Sequence, residues 1–413
     1  MAAETFLREA KQLGDEILRA RRRLHQNAEV GFELEQTIAF VKDELTAMGL
    51  QPVDCGKAGV VALVGGKQPG KVFLLRADMD ALPIREEADV PFAAVNGHMH
   101  ACGHDMHTAM LLGAARLLKA HEDEIVGTVK LMFQPAEESF EGSRDMIAAG
   151  LLEAPSVDAA LMIHVMAGMP FPAGTVLVSA PGVSAPAADY FEIRVQGQGC
   201  HGSMPNTGVD PLSAAAHILI GLQELHAREL AMGERAVLTI GTLHAGTAAN
   251  AIPDTAVMGG SLRTFDEETR TLIKSRMTDI SRGIAAAFRA EASVTFGSGC
   301  PTLVNDADLA DCVAQYVKEL LPQGKALSVS ELPATGGGSK TAGSEDFAYV
   351  SQKVPSIMLA LAAGQPERGY CYPQHHPMVT FDESVLADGS AVYAYTALRW
   401  LENHALRRAN DPA

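Results

Sequence analysis

Val72-Phe73-Leu74-Leu75-Arg76-Ala77-Asp78-Met79-Asp80 is a short apolar run that ends in two aspartates. It reads as a strand that delivers Asp78 and Asp80 at its C-terminal end, where open α/β sheets place their sites. Working outward, the same signature recurs. Thr128-Val129-Lys130-Leu131-Met132-Phe133 leads to Glu137 and Glu138, and Ala159-Ala160-Leu161-Met162-Ile163 leads to His164. Three strands ending in ligand-type residues make a site, because chance would scatter them.

Between the first two of these strands lies His98-Met99-His100-Ala101-Cys102-Gly103-His104-Asp105-Met106-His107, read as a loop before a helix from Thr108 to His121. Carboxylates, imidazoles and a thiol at this density are costly to bury unless something pairs with them, and the obvious partner is a metal ion. Cys102 and His104, in Cys-x-His spacing, suit borderline-soft divalent ions: zinc, with manganese, cobalt or nickel also accepted. Alone, Cys102 is a small buried hydrophobe and each histidine a surface residue; their clustering argues otherwise. Glu137 and Glu138 repel each other at a cost that a cation offsets, so one carboxylate can ligate while its neighbour serves as general base to a water. His164 and the pair His375-His376 are weak signals singly. Cys102, His104, Glu138, His164 and one of the late pair give enough ligands for two metals about 4 Å apart.

The chain has 413 residues, beyond the size at which single cores stop growing, so two domains are expected. Its net charge of −17, from 33 Lys+Arg against 50 Asp+Glu, argues against nucleic acid or an anionic membrane as partner. Met1 to Leu24 reads as one amphipathic helix without the features of a secretory signal, and no eighteen-residue apolar run predicts a membrane span. Six dispersed cysteines fit reduced thiols in a cytoplasmic protein. His25 and Glu29 read as part of a charged loop between helices, ahead of a second helix from Leu34 to Met48. Val60 to Val64 and Val72 to Arg76 read as strands joined by Gly-rich turn chemistry.

Pro181 to Pro186 looks like a linker. After it the elements run strand, helix, strand, strand, helix, strand, the βαββαβ order of a ferredoxin-like domain. The expected architecture is α/β: a catalytic domain from residues 1–186 and 298–413, with 187–297 inserted. The return passes through the Gly-rich stretch Thr335 to Ser339 and ends in a helix from Glu383 to Leu406.

Arg76 to Glu86, His100 to Ala115 and Gln134 to Glu138 resemble the N-acyl-amino-acid amidohydrolases: hippurate hydrolase, aminoacylases and the plant indoleacetyl-amino-acid hydrolases. The resemblance covers nearly the whole chain and implies a zinc-peptidase-like catalytic domain with an inserted lid and dimerisation domain. It implies Cys102, His104, Glu138, His164 and His375 as metal ligands, Glu137 as general base, and Asp78 as a residue that orients a ligating histidine. His376 stands where the family carries a small polar residue, which leaves His375 and His376 both open as the last ligand. Gly199-Cys200-His201-Gly202-Ser203-Met204-Pro205 resembles a motif whose histidine, in dimeric relatives, reaches the partner's site; Cys200 replaces a glycine there. Asn250 and Arg263 resemble positions tied to substrate contact or dimer geometry. His98, His100 and His107 are left as bystanders, and Ala28 replaces a proline at a turn.

The function implied is hydrolysis of the amide bond of N-acyl or N-aroyl amino acids by a homodimer or higher homo-oligomer with two divalent ions (Zn2+ or Mn2+, Co2+ or Ni2+) per chain. The alternatives are a dipeptidase or N-succinyl-amino-acid desuccinylase on the same site, and a metal-dependent binding protein without turnover. The intact Glu137 argues against the last.

Overall fold

A computed structural model describes residues 3–332 and 343–410 of the chain. The glycine-rich stretch Thr335 to Ser339 lies outside the described residues. The chain divides into two compact units, one of residues 3–184, 304–332 and 346–410, the other of Ala185–Leu303 with residues 343–345.

The first unit opens with α1 (Ala3–Gln12), α2 (Gly14–Gln26) and α3 (Glu35–Ala47), then β1 (Val53–Cys55), β2 (Gly59–Gly65), β3 (Gln68–Asp78), α4 (His104–Ala120), β4 (Val126–Gln134), α5 (Gly142–Ala148), β5 (Ala159–Met166), β6 (Val176–Val178) and β7 (Gly182–Ala185). The single N-terminal helix expected from the sequence is two, broken at Leu13, next to Gly14, the residue of weakest helical preference in the stretch. The second unit holds β8 (Ala187–Gln196), β9 (Cys200–His201), α6 (Pro211–Gly221), β10 (Ala236–Ala245), β11 (Ala251–Ile252), β12 (Thr255–Thr264), α7 (Glu267–Ala287) and β13 (Glu291–Cys300). The chain then returns through β14 (Leu303–Asn305), α8 (Ala307–Leu320), β15 (Ala326–Ser328), α9 (Ala348–Ser351), β16 (Ser356–Ala362) and α10 (Leu386–Asn410). The stretch read as a linker contains β7, which pairs with β14.

The main sheet has eight strands in the order β1-β2-β4-β3-β5-β16-β6-β15, with β4, β3, β5 and β16 mutually parallel. β2 and β3 are not neighbours despite the turn between them. β4 sits between them, antiparallel to β2 and parallel to β3, because the crossover through α4 returns the chain in the direction of β3. Phe73, Leu74, Leu75, Leu131, Phe133, Leu161 and Ile163 are buried in the middle of this sheet. Its central strands are buried at successive positions and so read as continuous apolar runs. α4 is buried over almost its whole length, through Met106, Met110, Leu111, Ala114 and Leu118 among others.

Register brings the functional ends together. Asp78 pairs with Gln134 across β3 and β4, and Arg76 with Met162 across β3 and β5. Beyond that last pair the hydroxyl of Tyr393 on α10 enters the ladder: it accepts the Ile163 N–H at 2.9 Å and donates to the Arg76 carbonyl at 2.7 Å. The split leaves room between Asp78 and His164 at the sheet's C-terminal edge.

In the second unit β10-β12-β8-β13 form an antiparallel sheet. Phe191, Ile193 and Val195 alternate inward from β8 toward Ile218, Met258, Ile273 and Met277. Asp210 and Asp266 cap α6 and α7 with their carboxylates. Among the described residues no helix is long and apolar enough to cross a membrane.

Tyr393→Phe strands a buried N–H and a buried carbonyl at the split between β3 and β5. Its expected cost is about 1–3 kcal/mol of unfolding free energy, read from urea denaturation against the unsubstituted chain; a loss within error shows that the hydroxyl does not hold the split.

Candidate metal centre

The turn before α4 cannot be built from ordinary residues throughout. Gly103, the residue just before the helix, has φ +89°, and a Cβ there would lie 2.4 Å from Val165. This close approach sets Cys102 against β5, with its Sγ 3.6 Å from His164 Nε2. The helix begins four residues earlier than the apolar pattern suggests, so His104 is its first residue.

Two hydrogen bonds decide which ring nitrogens face inward. His104 Nδ1 donates to the Asp80 carbonyl at 2.8 Å, and His164 Nδ1 donates to the Val165 carbonyl at 2.7 Å. Each ring therefore turns Nε2 toward the thiol and the glutamates. The Asp80 carboxylate accepts the backbone N–H groups of Glu137 (3.0 Å) and Glu138 (3.3 Å), so one residue fixes the tautomer of His104 and the place of both glutamates. Ala136, just before them, has φ +51°, and His375 has φ +66°. Such strained backbone persists only where the surroundings hold it. The Ala136 N–H donates to the Gly31 carbonyl at 3.1 Å, and the His375 N–H to the Ala101 carbonyl at 3.0 Å.

The side chains of Cys102, His104 and His164 present donor atoms within 4.8 Å of one another, and so do Cys102, Glu138 and His375, and His104, Glu137 and Glu138. Cys102 is common to the first two groups. His375, not His376, belongs to the cluster: its Nε2 is 3.4 Å from Glu138 Oε1, whereas the His376 ring stacks on Tyr372 with centroids 4.5 Å apart. His104 Nε2 and Glu138 Oε1 are buried without a hydrogen-bond partner and face each other at 3.9 Å. A divalent cation satisfies both, and the thiol, imidazole and carboxylate set suits one. Burial alone would push the Cys102 thiol up, but the imidazoles of His164, His104 and His375 around it bring it down to about 6. At neutral pH it is therefore the thiolate, the form that ligates. His375 is pushed up to about 10 by Cys102 and Glu138.

Asp78 stands behind this cluster. Its Oδ1 is 2.5 Å from His107 Nδ1, and its Oδ2 accepts from Arg76 at 2.8 Å. His107 Nε2 accepts the Val165 N–H at 2.8 Å, so Nδ1 must be the protonated nitrogen. Asp78 thus orients His107, which holds the strand carrying His164, while its distance to His104 Nε2 is 3.5 Å. His107, set aside as a bystander, is a buried link. Asp80 was visible in the Asp-Met-Asp run but had no role assigned; its signal was position at the strand end.

Arg76 binds Gln134 Oε1 (2.8 Å) and Asp346 Oδ1 (3.2 Å) besides Asp78. The Asp346 N–H lies 3.4 Å from Glu137 Oε1, so this network also reaches Glu137. His201, Asn250 and Arg263 belong to the second unit. His201 is exposed on β9, opposite Ala251, and the Asn250 carbonyl accepts the Gly202 N–H at 2.8 Å, which makes His201 and Asn250 neighbours. Arg263 lies apart from them on β12, over the Tyr190 ring and bonded to Ser344.

Residues 74–399 match the model of the peptidase family M20/M25/M40. The chain is 35% identical to an N-acetyl-L-cysteine deacetylase of Bacillus subtilis over 97% of its own length and 91% of that protein. It is also 35% identical to the IAA-amino acid hydrolase ILR1-like 2 of Arabidopsis thaliana, covering 95% of this chain and 86% of that one. Among solved structures, a dinuclear metal-binding peptidase of Bacillus subtilis superposes with a TM-score of 0.77 at 33% identity, over 95% of this chain and 99% of the other. On these grounds the chain belongs to peptidase family M20/M25/M40.

Proposed function

We propose that the protein hydrolyses the amide bond of N-acyl or N-aroyl amino acids, releasing a carboxylic acid and a free amino acid. The observation that carries this reading is the convergence of Cys102, His104, Glu138, His164 and His375 donor atoms with the Glu137 carboxylate alongside. Cys102, His104 and His164 would hold one divalent ion, and Cys102, Glu138 and His375 a second. The thiolate favours zinc, and the nitrogen and oxygen majority accepts manganese. When bound, such ions acidify water and polarise a carbonyl.

The chain's own residues then have distinct tasks. Glu137, held by Asp80 through its backbone, takes the proton of the attacking water and returns it to the leaving amine. His201 donates to the oxygen that gains charge in the transition state. Asn250 and Arg263 contact the substrate, whose carboxylate suits a guanidinium. Asp78, through His107, keeps β5 and His164 in place.

The second unit is read as a ferredoxin-like lid and dimerisation module, inserted at 187–297 into a catalytic domain of 1–186 and 298–413. Its βαββαβ order with β13-β8-β12-β10 adjacency supports this. β10 is an edge strand with Val237 and Leu243 exposed, a surface suited to a second copy in a homodimer. The six cysteines, none of them in a disulfide among the described residues, support a reducing, cytoplasmic setting.

Glu137→Gln lowers the hydrolysis rate on a panel of N-acetyl and N-benzoyl amino acids by about 10²–10⁴-fold with the metal content unchanged; a loss below tenfold in metal-loaded protein removes Glu137 as base. Stripping metal with a chelator abolishes turnover. Zinc or manganese added back at about 100 times its Kd stabilises the fold by about 2.7 kcal/mol per site, read as a rise in Tm; no rise with either ion counts against the site. Mixing His201→Ala with Glu137→Gln protein restores activity where the histidine acts across a dimer, and mixtures that stay inactive place His201 within its own chain or outside the reaction.

A further inference from the structure

A second set of buried charges lies on the other flank of the ligand turn and takes no part in the chemistry above. It begins on α2, in the run read from the sequence as a loop. His25 is buried there, and its Nδ1 lies 2.8 Å from Asp105 Oδ2. The opposite nitrogen, Nε2, lies 3.0 and 3.2 Å from the two oxygens of Glu86. Arg21 Nε is also 2.8 Å from Asp105 Oδ2, its Nη2 lies 3.3 Å from His25 Nδ1, and the Phe92 ring stands perpendicular to the imidazole with centroids 5.3 Å apart. A ring with a carboxylate at each nitrogen has a use for a proton on both. Burial and the Arg21 charge oppose this, and the Asp105 and Glu86 carboxylates outweigh them, leaving His25 above its ordinary value.

The two carboxylates bracket the ligand turn. Asp105 follows His104 directly, in the first turn of α4, whose cap position is a glycine that makes no side-chain bond. Glu86 accepts the Ala94 N–H at 2.6 Å and so anchors the excursion that leads into the turn. That excursion is closed by Leu82 and Met99, which exchange both backbone hydrogen bonds at 3.0 Å. Residues 100–104 therefore hang between one segment held by Glu86 and another held by Asp105. One imidazole ring joins the two.

We propose that His25 is a positioning residue for the metal-ligand turn, its imidazolium clamping Glu86 and Asp105 so that Cys102 and His104 are held at fixed separation. The proposal rests on reading Cys102 and His104 as ligands. Without the imidazolium the two buried carboxylates lose the donor that joins them, and the turn relaxes as they part.

The test uses full-length protein loaded with cobalt, whose thiolate charge-transfer absorption reports Cys102. His25→Gln and Glu86→Gln are each expected to weaken cobalt binding by about 10–100-fold and to shift the band, with kcat falling more than KM rises. The double variant loses less than the product of the two single losses, because both break one clamp. Lys130→Met serves as control. It removes a buried ammonium that bonds the Leu151, Glu153 and Pro155 carbonyls elsewhere in the same unit, and it is expected to lower Tm while leaving the band in place. Unsubstituted affinity and band in both His25→Gln and Glu86→Gln overturn the proposal, as does an equal shift in Lys130→Met at matched loss of Tm. Absence of a thiolate band from the unsubstituted protein overturns the ligand assignment itself, and the clamp with it.

Discussion

The end of the main sheet depends on one buried cation. The Arg76 guanidinium, 1% exposed, lies between the carboxylates of Asp78 and Asp346, both fully buried. Desolvating three charges costs several kcal/mol per ion and is offset only where nearly every donor and acceptor is matched. Here they are. Asp346 also accepts from Gln134 (2.6 Å) and the Ser143 N–H (2.9 Å), and Asp78 also holds His107. The network thereby links β3, β4, α5 and α4, and through His107 it reaches β5.

The ligand cluster inherits its geometry from that frame more than from its own side chains. His104 and His164 present Nε2 because a main-chain carbonyl occupies Nδ1 of each. The two glutamates stand side by side because Asp80 holds their backbone and Ala136 bends ahead of them with φ +51°. A chain that stores strain at Ala136 and His375 needs surrounding structure to hold it there. For Ala136 this includes the N-terminal turn at Gly31, and for His375 the ligand turn at Ala101. Folding of the first unit and preparation of the site are in this sense one event.

The site's electrostatics follow from the same packing. A thiol in apolar surroundings ordinarily resists ionisation, yet three imidazoles around Cys102 reverse the direction. Asp78 is driven the same way, well below the usual carboxylate range, because Arg76, His104 and His107 outweigh its burial.

Strand positions and their acidic or imidazole ends were legible in the sequence, because a buried parallel strand is a local apolar run and a ligand at its end is a local feature. The residues it singled out in the first unit, Cys102, His104, Glu137, Glu138, His164 and His375, fall into overlapping groups in the fold. The sequence by itself thus determined the residue types of the site and the order of the elements that carry them. Only the tertiary structure decided that β4 separates β2 from β3, that Asp78 serves His107, that Asp80 fixes the glutamates, and that His25 is a buried helix residue between two carboxylates and not a loop residue. The physical reason is distance along the chain. The partners of His25 lie 80 and 61 positions away. Which proton a ring nitrogen carries, or which strand pairs with which, is set by groups that no local pattern records.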